Sequence, residues 1–203
     1  MAIFKHLACA YLCNDHMAFK LAVVDLDGCI IDEVSSRFDS KLGEHKGALN
    51  SSFREMAFVS LHALPHSRKF YASLLREEAL DEEIVKAMKQ LQDEGTELHI
   101  VTKHKGLDKA WLSDMLQRHG IAIGANSIHI VNGDKSTTIN RLKADLVIDD
   151  QPDSVLNIDG NAKILLLRRS YNKVSMAVIK LLRGSKVSIV DPSEIASVLG
   201  TKQ

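Results

Sequence analysis

The chain has 203 residues, of which 45% are apolar and 26% charged, a balance that suits one globular α/β unit with space for a modest insertion. Lys plus Arg and Asp plus Glu each total 26, so the formal charge is zero; this weighs against a duplex-DNA clamp, whose affinity comes from neutralising phosphates, and leaves room for a small phosphorylated ligand held by a local positive cluster. No apolar run is long enough to span a membrane, and three cysteines (Cys9, Cys13 and Cys29) make no disulfide framework, which points to reduced thiols in the cytoplasm.

Residues 1–16 form an N-terminal extension. Lys5 and His6 interrupt its apolar stretch, and the spacing of His6, Cys9, Cys13 and His16 fits no common zinc pattern. The run Leu21-Ala22-Val23-Val24 is a buried strand that ends in Asp25-Leu26-Asp27-Gly28. Residues 33–80 hold no strand pattern, only short helical stretches around Met56 and Leu74 broken by Pro65, and read as a small helical cap inserted after the first strand. Asp81 caps a helix whose apolar face is Ile84, Val85, Met88 and Leu91, closed by Gly95. Strands follow at Leu98–Val101, Ser127–Val131, Leu146–Ile148, Ile164–Leu167 and Val187–Val190. Between the first two lies a helix with Ala110, Trp111, Met115 and Leu116 inward, and Ser136 caps another that runs to Lys143. Helical patterns fill 172–183 and 192–199. The expected domains are thus an extension over 1–16, a core over 17–32 and 81–203, and a cap over 33–80.

Strand and helix in alternation imply a parallel sheet with helices on both faces. Ligands of such sheets bind at the carboxyl ends of the strands, and the residues that could carry chemistry lie there. Asp25 and Asp27 sit two apart after the first strand, with Gly28 permitting a sharp turn; an Asp-rich turn with no function is the plain alternative. Thr102 ends the second strand, where its hydroxyl could bind a phosphate oxygen or merely cap a helix, and Lys103 adjoins it. Lys135 lies at a helix start, where the helix dipole disfavours a cation unless an anion is close. Asp149 and Asp150 are adjacent carboxylates that repel each other unless a cation neutralises them. Four acids at two strand ends outline a hard oxygen cage suited to Mg²⁺.

The ordered set Asp-x-Asp-Gly, then Thr102, then Lys135, then Asp149-Asp150 resembles the haloacid-dehalogenase-like hydrolase superfamily over residues 21–153. Two-component receiver domains use similar residues but place the acid pair first. Within residues 97–172 the runs Ile100-Val101-Thr102, Gly133-Asp134-Lys135-Ser136-Thr137 and Asp145–Asp153, with Ser170-Tyr171-Asn172 beyond, resemble the 5′(3′)-deoxyribonucleotidase group. Cys29 stands where that pattern has Thr or Val after the glycine, and Lys103 where it tends to have Ser.

The resemblance implies a Rossmann-like α/β sheet and a Mg²⁺-dependent phosphomonoesterase. It assigns Asp25 as the nucleophile that becomes an aspartyl-phosphate, and Asp27 as the acid and base for the leaving group and water. Asp25, the Asp27 carbonyl and Asp149 would hold the metal, with Asp150 behind a water. Thr102, Lys103 and Lys135 would hold the phosphoryl group. Cap aromatics Phe38, Phe53, Phe58, Phe70 and Tyr71 could stack a base or simply pack the cap. A small phosphorylated substrate, in particular a nucleoside monophosphate, is the partner implied. A phosphatase for sugar phosphates or polynucleotide 3′ ends, and a non-catalytic phosphate-binding regulatory module, are the alternatives.

Overall fold

The computed structural model describes residues 19–31, 80–169 and 186–200, together with 172, 176, 178 and 179. The proposed cap, its aromatics and the N-terminal extension lie outside these residues. Six parallel strands form one sheet: β1 (Leu21–Val24), β2 (Glu97–Thr102), β3 (Ile128–Ile130), β4 (Leu146–Asp149), β5 (Lys163–Leu167) and β6 (Val187–Val190), in the order β3-β2-β1-β4-β5-β6. Four helices complete the described elements: α1 (Glu82–Asp93), α2 (Lys109–Arg118), α3 (Lys135–Leu142) and α4 (Ile195–Gly200).

The strands form because their residues are β-branched or otherwise apolar and buried on both sides, as in a parallel sheet covered by helices. Side chains alternate between faces, so Val23 and Val24 enter different cores. Val24, Ile100, Ile148 and Leu165 pack with Ile84, Met88 and Leu91 of α1 and Leu112, Met115 and Leu116 of α2. Val23, Val101, Val147 and Leu166 pack on the other side with Ile139 of α3. Asp81 caps α1 by accepting from the N–H groups of Glu83 and Ile84 at 3.0 and 3.2 Å, and Asp108 does the same for α2. α3 starts two residues earlier than the sequence suggests: Asp134, not Ser136, is its cap, accepting from the Ser136 N–H at 2.9 Å. Both residue types cap helices well, and the first to reach an orphan N–H sets the boundary. The third strand is shorter than the expected Ser127–Val131 because Ala125–Ser127 turn as a short 3-10 helix before it.

Two features of the topology position the site. The strand order reverses direction between β1 and β4, which pair in parallel with Val24 opposite Ile148. This is the switch point where open α/β sheets bind ligands. After β1 the chain makes a compact turn in which the Gly28 N–H donates to Ile31 O, and the Ile31 N–H to Leu26 O, each at 2.9 Å. Gly28 has φ +80°, a left-handed conformation a side chain would strain. Ile31 then bridges antiparallel to Leu80, so the chain rejoins the sheet beside the place it left.

Candidate active site

The register dictates the centre of the site. With Val24 opposite Ile148, the next residues, Asp25 and Asp149, emerge side by side, and the Asp25 N–H donates to Ile148 O at 2.9 Å. By alternation both carboxylates follow Val23 and Val147 onto the face that α3 covers. Lys135, the first residue of α3, reaches down between them. Its Nζ contacts Asp25 Oδ2 directly and donates to Asp149 Oδ2 at 3.2 Å. The side chains of all three are only 2% exposed. An ammonium at a helix start is disfavoured by the dipole; the two carboxylates compensate.

This burial shapes the protonation of the group. Burial pushes the Asp25 carboxyl up, Lys135 pulls it down, and Asp149, Asp150 and Asp27 push it up again; the result lies well above the usual carboxylate range. For Lys135, burial works against the charge, but Asp149 and Asp25 outweigh it and hold the ammonium well above its ordinary value. Lys135 is thus held in its charged form, while the surroundings of Asp25 disfavour its ionised form.

Asp27 occupies the mouth. Its side chain is 20% exposed and pairs with His104, whose Nδ1 lies 3.2 Å from both carboxylate oxygens. The His104 backbone N–H donates to Thr102 Oγ1 at 3.0 Å, and Thr102 is fully buried at the end of β2. Lys103 faces outward, with Nζ 3.9 Å from Asp153 and 42% of its side chain exposed.

The residues fit the Mg²⁺ that the motifs imply. Oxygens of Asp25 and Asp150 lie with the Cys29 sulfur inside a group whose atoms are all within 4.8 Å of one another, and all three residues are buried. Three buried carboxylates thus face one ammonium, an excess of negative charge that a divalent cation would offset, and oxygen donors suit Mg²⁺. Cys29 does not: burial, then Asp150 and Asp25, drive its thiol well above the ordinary value, so it stays a neutral sulfhydryl. The sequence reading gave Asp149 to the metal and put Asp150 behind a water. In the structure Asp149 Oδ1 accepts from the Gln151 N–H at 2.7 Å and Oδ2 faces Lys135, whereas Asp150 is the acid grouped with Asp25.

Two buried polar residues brace the loops that carry these groups. Arg169, just past β5, donates from Nε to Gly28 O at 2.7 Å and from Nη2 to Cys29 O at 3.3 Å and Asp81 Oδ2 at 3.0 Å. Asn172 donates to Asp150 O at 2.6 Å and Leu167 O at 2.9 Å, and accepts from the Arg169 N–H at 2.9 Å.

A solved structure shares this architecture. A phosphoserine phosphohydrolase-like protein from Francisella tularensis subsp. tularensis SCHU S4 superposes with a TM-score of 0.53 at 14% identity, over 88% of this chain and 99% of that one. A HAD family hydrolase from Deinococcus radiodurans R1, with bound phosphate and sodium, gives a TM-score of 0.47 at 15% identity, over 90% of this chain and 95% of that one. The chain has the parallel α/β fold of the Francisella protein. No family model matches the sequence, and no curated protein matches it.

The structure brings Asp25, Lys135, Asp149 and Asp150 together and links Asp27 to Thr102 through His104, while Lys103 faces outward. His104 and Arg169 are the ones sequence reasoning passed over. Both follow the end of a buried strand, the one signal the sequence offers for them, but their partners lie 77 and 141 positions away.

Proposed function

We propose that this chain is a Mg²⁺-dependent phosphomonoesterase that works through an aspartyl-phosphate on Asp25. The observation that carries the reading is the buried trio Asp25, Lys135 and Asp149 at the strand-order reversal, with Asp150 grouped beside Asp25. A structural ion pair needs one acid; three buried acids around one lysine are costly and suit a site that receives a metal and a phosphate.

In this reading an Asp25 oxygen forms a bond to phosphorus as the ester oxygen leaves. The N–H of Leu26 holds Asp25 Oδ1 at 2.7 Å and fixes the carboxylate's rotation for in-line attack. Asp27 gives its proton to the departing alkoxide. It then takes a proton from water, which attacks the same phosphorus and releases phosphate and the free Asp25 carboxylate. Lys135 and the Thr102 hydroxyl hold phosphoryl oxygens, and Lys103 adds attraction from the rim. Asp25, Asp150 and the Asp27 carbonyl, with Asp149 adjoining, would hold the Mg²⁺, which when bound supplies positive charge between nucleophile and phosphate.

The finer reading is a nucleotidase acting on nucleoside monophosphates. It is supported by the run of motifs over residues 97–172, including Asn172, which holds the Asp150 carbonyl at 2.6 Å. Hydrolysis of p-nitrophenyl phosphate with Mg²⁺, lost on adding chelator and in Asp25→Asn, tests the activity; full turnover in excess chelator overturns it. Comparing kcat/KM for thymidine monophosphate, uridine monophosphate and glucose 6-phosphate tests the substrate. Base stacking worth roughly 1–3 kcal/mol should favour the nucleotides about 5- to 150-fold. Equal values remove the nucleotidase reading and leave the phosphatase one.

A further inference from the structure

We propose that His104 is a positioning residue that fixes the Asp27 carboxyl for proton transfer and, through its backbone, sets the direction of the Thr102 hydroxyl. This deepens the phosphomonoesterase reading and rests on it.

The geometry is specific. Asp27 lies beyond the end of β1 in the turn, with a fifth of its side chain open to water. An aspartate in that position has several staggered rotamers to choose from, and its carboxyl plane turns through a broad well. An acid that must meet a leaving oxygen within hydrogen-bond reach cannot be left to wander, because misplacement on the order of 1 Å costs about a hundredfold in rate. His104 removes that freedom. Its Nδ1 is 3.2 Å from each Asp27 oxygen, a single N–H shared between both acceptors. Once Asp27 has given up its proton it is a carboxylate that only accepts, and the tautomer of His104 with its proton on Nδ1 is the one that holds it. The ring cannot swing away, because its side chain is only 9% exposed.

The same residue touches the opposite side of the site. Its backbone N–H donates to Thr102 Oγ1 at 3.0 Å. With that lone pair occupied, the Thr102 hydroxyl keeps its hydrogen available to donate to a phosphoryl oxygen. One residue therefore orients the group that serves the leaving oxygen and the group that serves the phosphate. The first contact runs through the ring and the second through the main chain, so substitution separates them. Only the ring contact is lost when the side chain changes.

The test compares His104→Leu, which fills the volume and cannot donate, with His104→Asn, whose amide nitrogen can take the place of Nδ1. Each is assayed with Mg²⁺ on p-nitrophenyl phosphate, whose leaving group needs no proton, and on an alkyl phosphate, whose leaving group does, by the alcohol released in the first turnover, before the water step that the two esters share. Inhibition by inorganic phosphate is measured alongside. In His104→Leu the alkyl phosphate should lose roughly 10- to 100-fold in that first-turnover rate, part of the 10² to 10⁴ a placed acid contributes. The p-nitrophenyl ester should lose less than about threefold, inhibition by phosphate should stay within about twofold because the backbone contact persists, and His104→Asn should recover most of the alkyl rate. Equal losses on the two esters, no loss on either, or an asparagine variant no better than the leucine one overturns the positioning role and leaves the phosphatase intact. A wild-type protein inert toward both esters overturns the phosphatase reading, and this inference falls with it.

Discussion

The site holds two acid–base pairs that differ chiefly in their access to water. Lys135 with Asp25 and Asp149 is sealed, each side chain 2% exposed, whereas Asp27 with His104 stands at the mouth, 20% and 9% exposed. In the sealed trio the groups are held against one another away from water, an arrangement suited to binding and attack. At the mouth, water can carry protons to and from Asp27, which suits an acid that must be reset in every cycle. Two aspartates two residues apart thus receive different tasks from their surroundings, a division familiar from enzymes in which one carboxylate is dry and its neighbour wet.

The comparison breaks most visibly if the sealed pair is opened. Lys135→Met should abolish turnover and also cost about 3–5 kcal/mol of stability, because removing one partner strands buried carboxylates. Denaturant unfolding in chelator measures this, and unchanged stability would show that the trio is not a closed ionic unit.

Asp25→Asn should abolish turnover as well, yet shift stability the other way. The folded chain raises the Asp25 pKa above the ordinary 3.8, so ionised Asp25 is disfavoured by folding. Such a group stabilises fully below its unfolded value and loses that contribution as pH rises through its folded one. The asparagine variant should therefore gain on the wild type progressively above about pH 4 and level off once Asp25 ionises in the fold. In metal-free buffer at neutral pH a gain of ~1 kcal/mol would raise Tm by about 2–4 °C. A variant less stable than wild type throughout this range would contradict the direction of the shift.

At the mouth the same substitution should act on rate alone. Asp27→Asn should leave Tm within about a degree, since the carboxyl is part-exposed and an amide still accepts from His104. It should cost roughly 10² to 10⁴ in kcat on an alkyl phosphate and much less on p-nitrophenyl phosphate. Equal losses on the two would remove Asp27 as the proton donor. The smallest effect belongs to Lys103→Ala. Lys103 is half in solvent and 3.9 Å from Asp153, so its ion pair contributes on the order of 0–1 kcal/mol. KM should change by less than about threefold and do so less at high salt; a change of tenfold or more would place Lys103 in the phosphate site itself.

The sealed half was legible in the sequence and the mouth only in part. Runs such as Leu21–Val24 and Leu146–Ile148 announce buried parallel strands, and the acids at their ends stand out against them. Their direct pairing follows from register, which the sequence does not state but topology makes nearly unavoidable. His104 lies in Lys103-His104-Lys105, a polar stretch that reads as a solvated loop, and only the fold brings it to Asp27, 77 positions away. Arg169 is harder still: it meets Gly28 across 141 positions, and nothing periodic in the sequence marks the contact. Which of the adjacent Asp149 and Asp150 meets Lys135 is a matter of one residue in strand length. Boundaries such as the Asp134 cap failed for the same reason, since neighbouring residues were nearly equal choices.

The central claim is that Asp25 takes the phosphoryl group, and a trapping experiment addresses it most directly. The wild-type protein is mixed with Mg²⁺ and substrate, quenched in acid during turnover, digested and analysed by mass spectrometry. One added phosphoryl group should appear on the peptide that contains Asp25, fragment to that residue, and be absent in excess chelator and in Asp25→Asn. Turnover with the phosphoryl group on another residue, or undiminished in Asp25→Asn, would contradict the account.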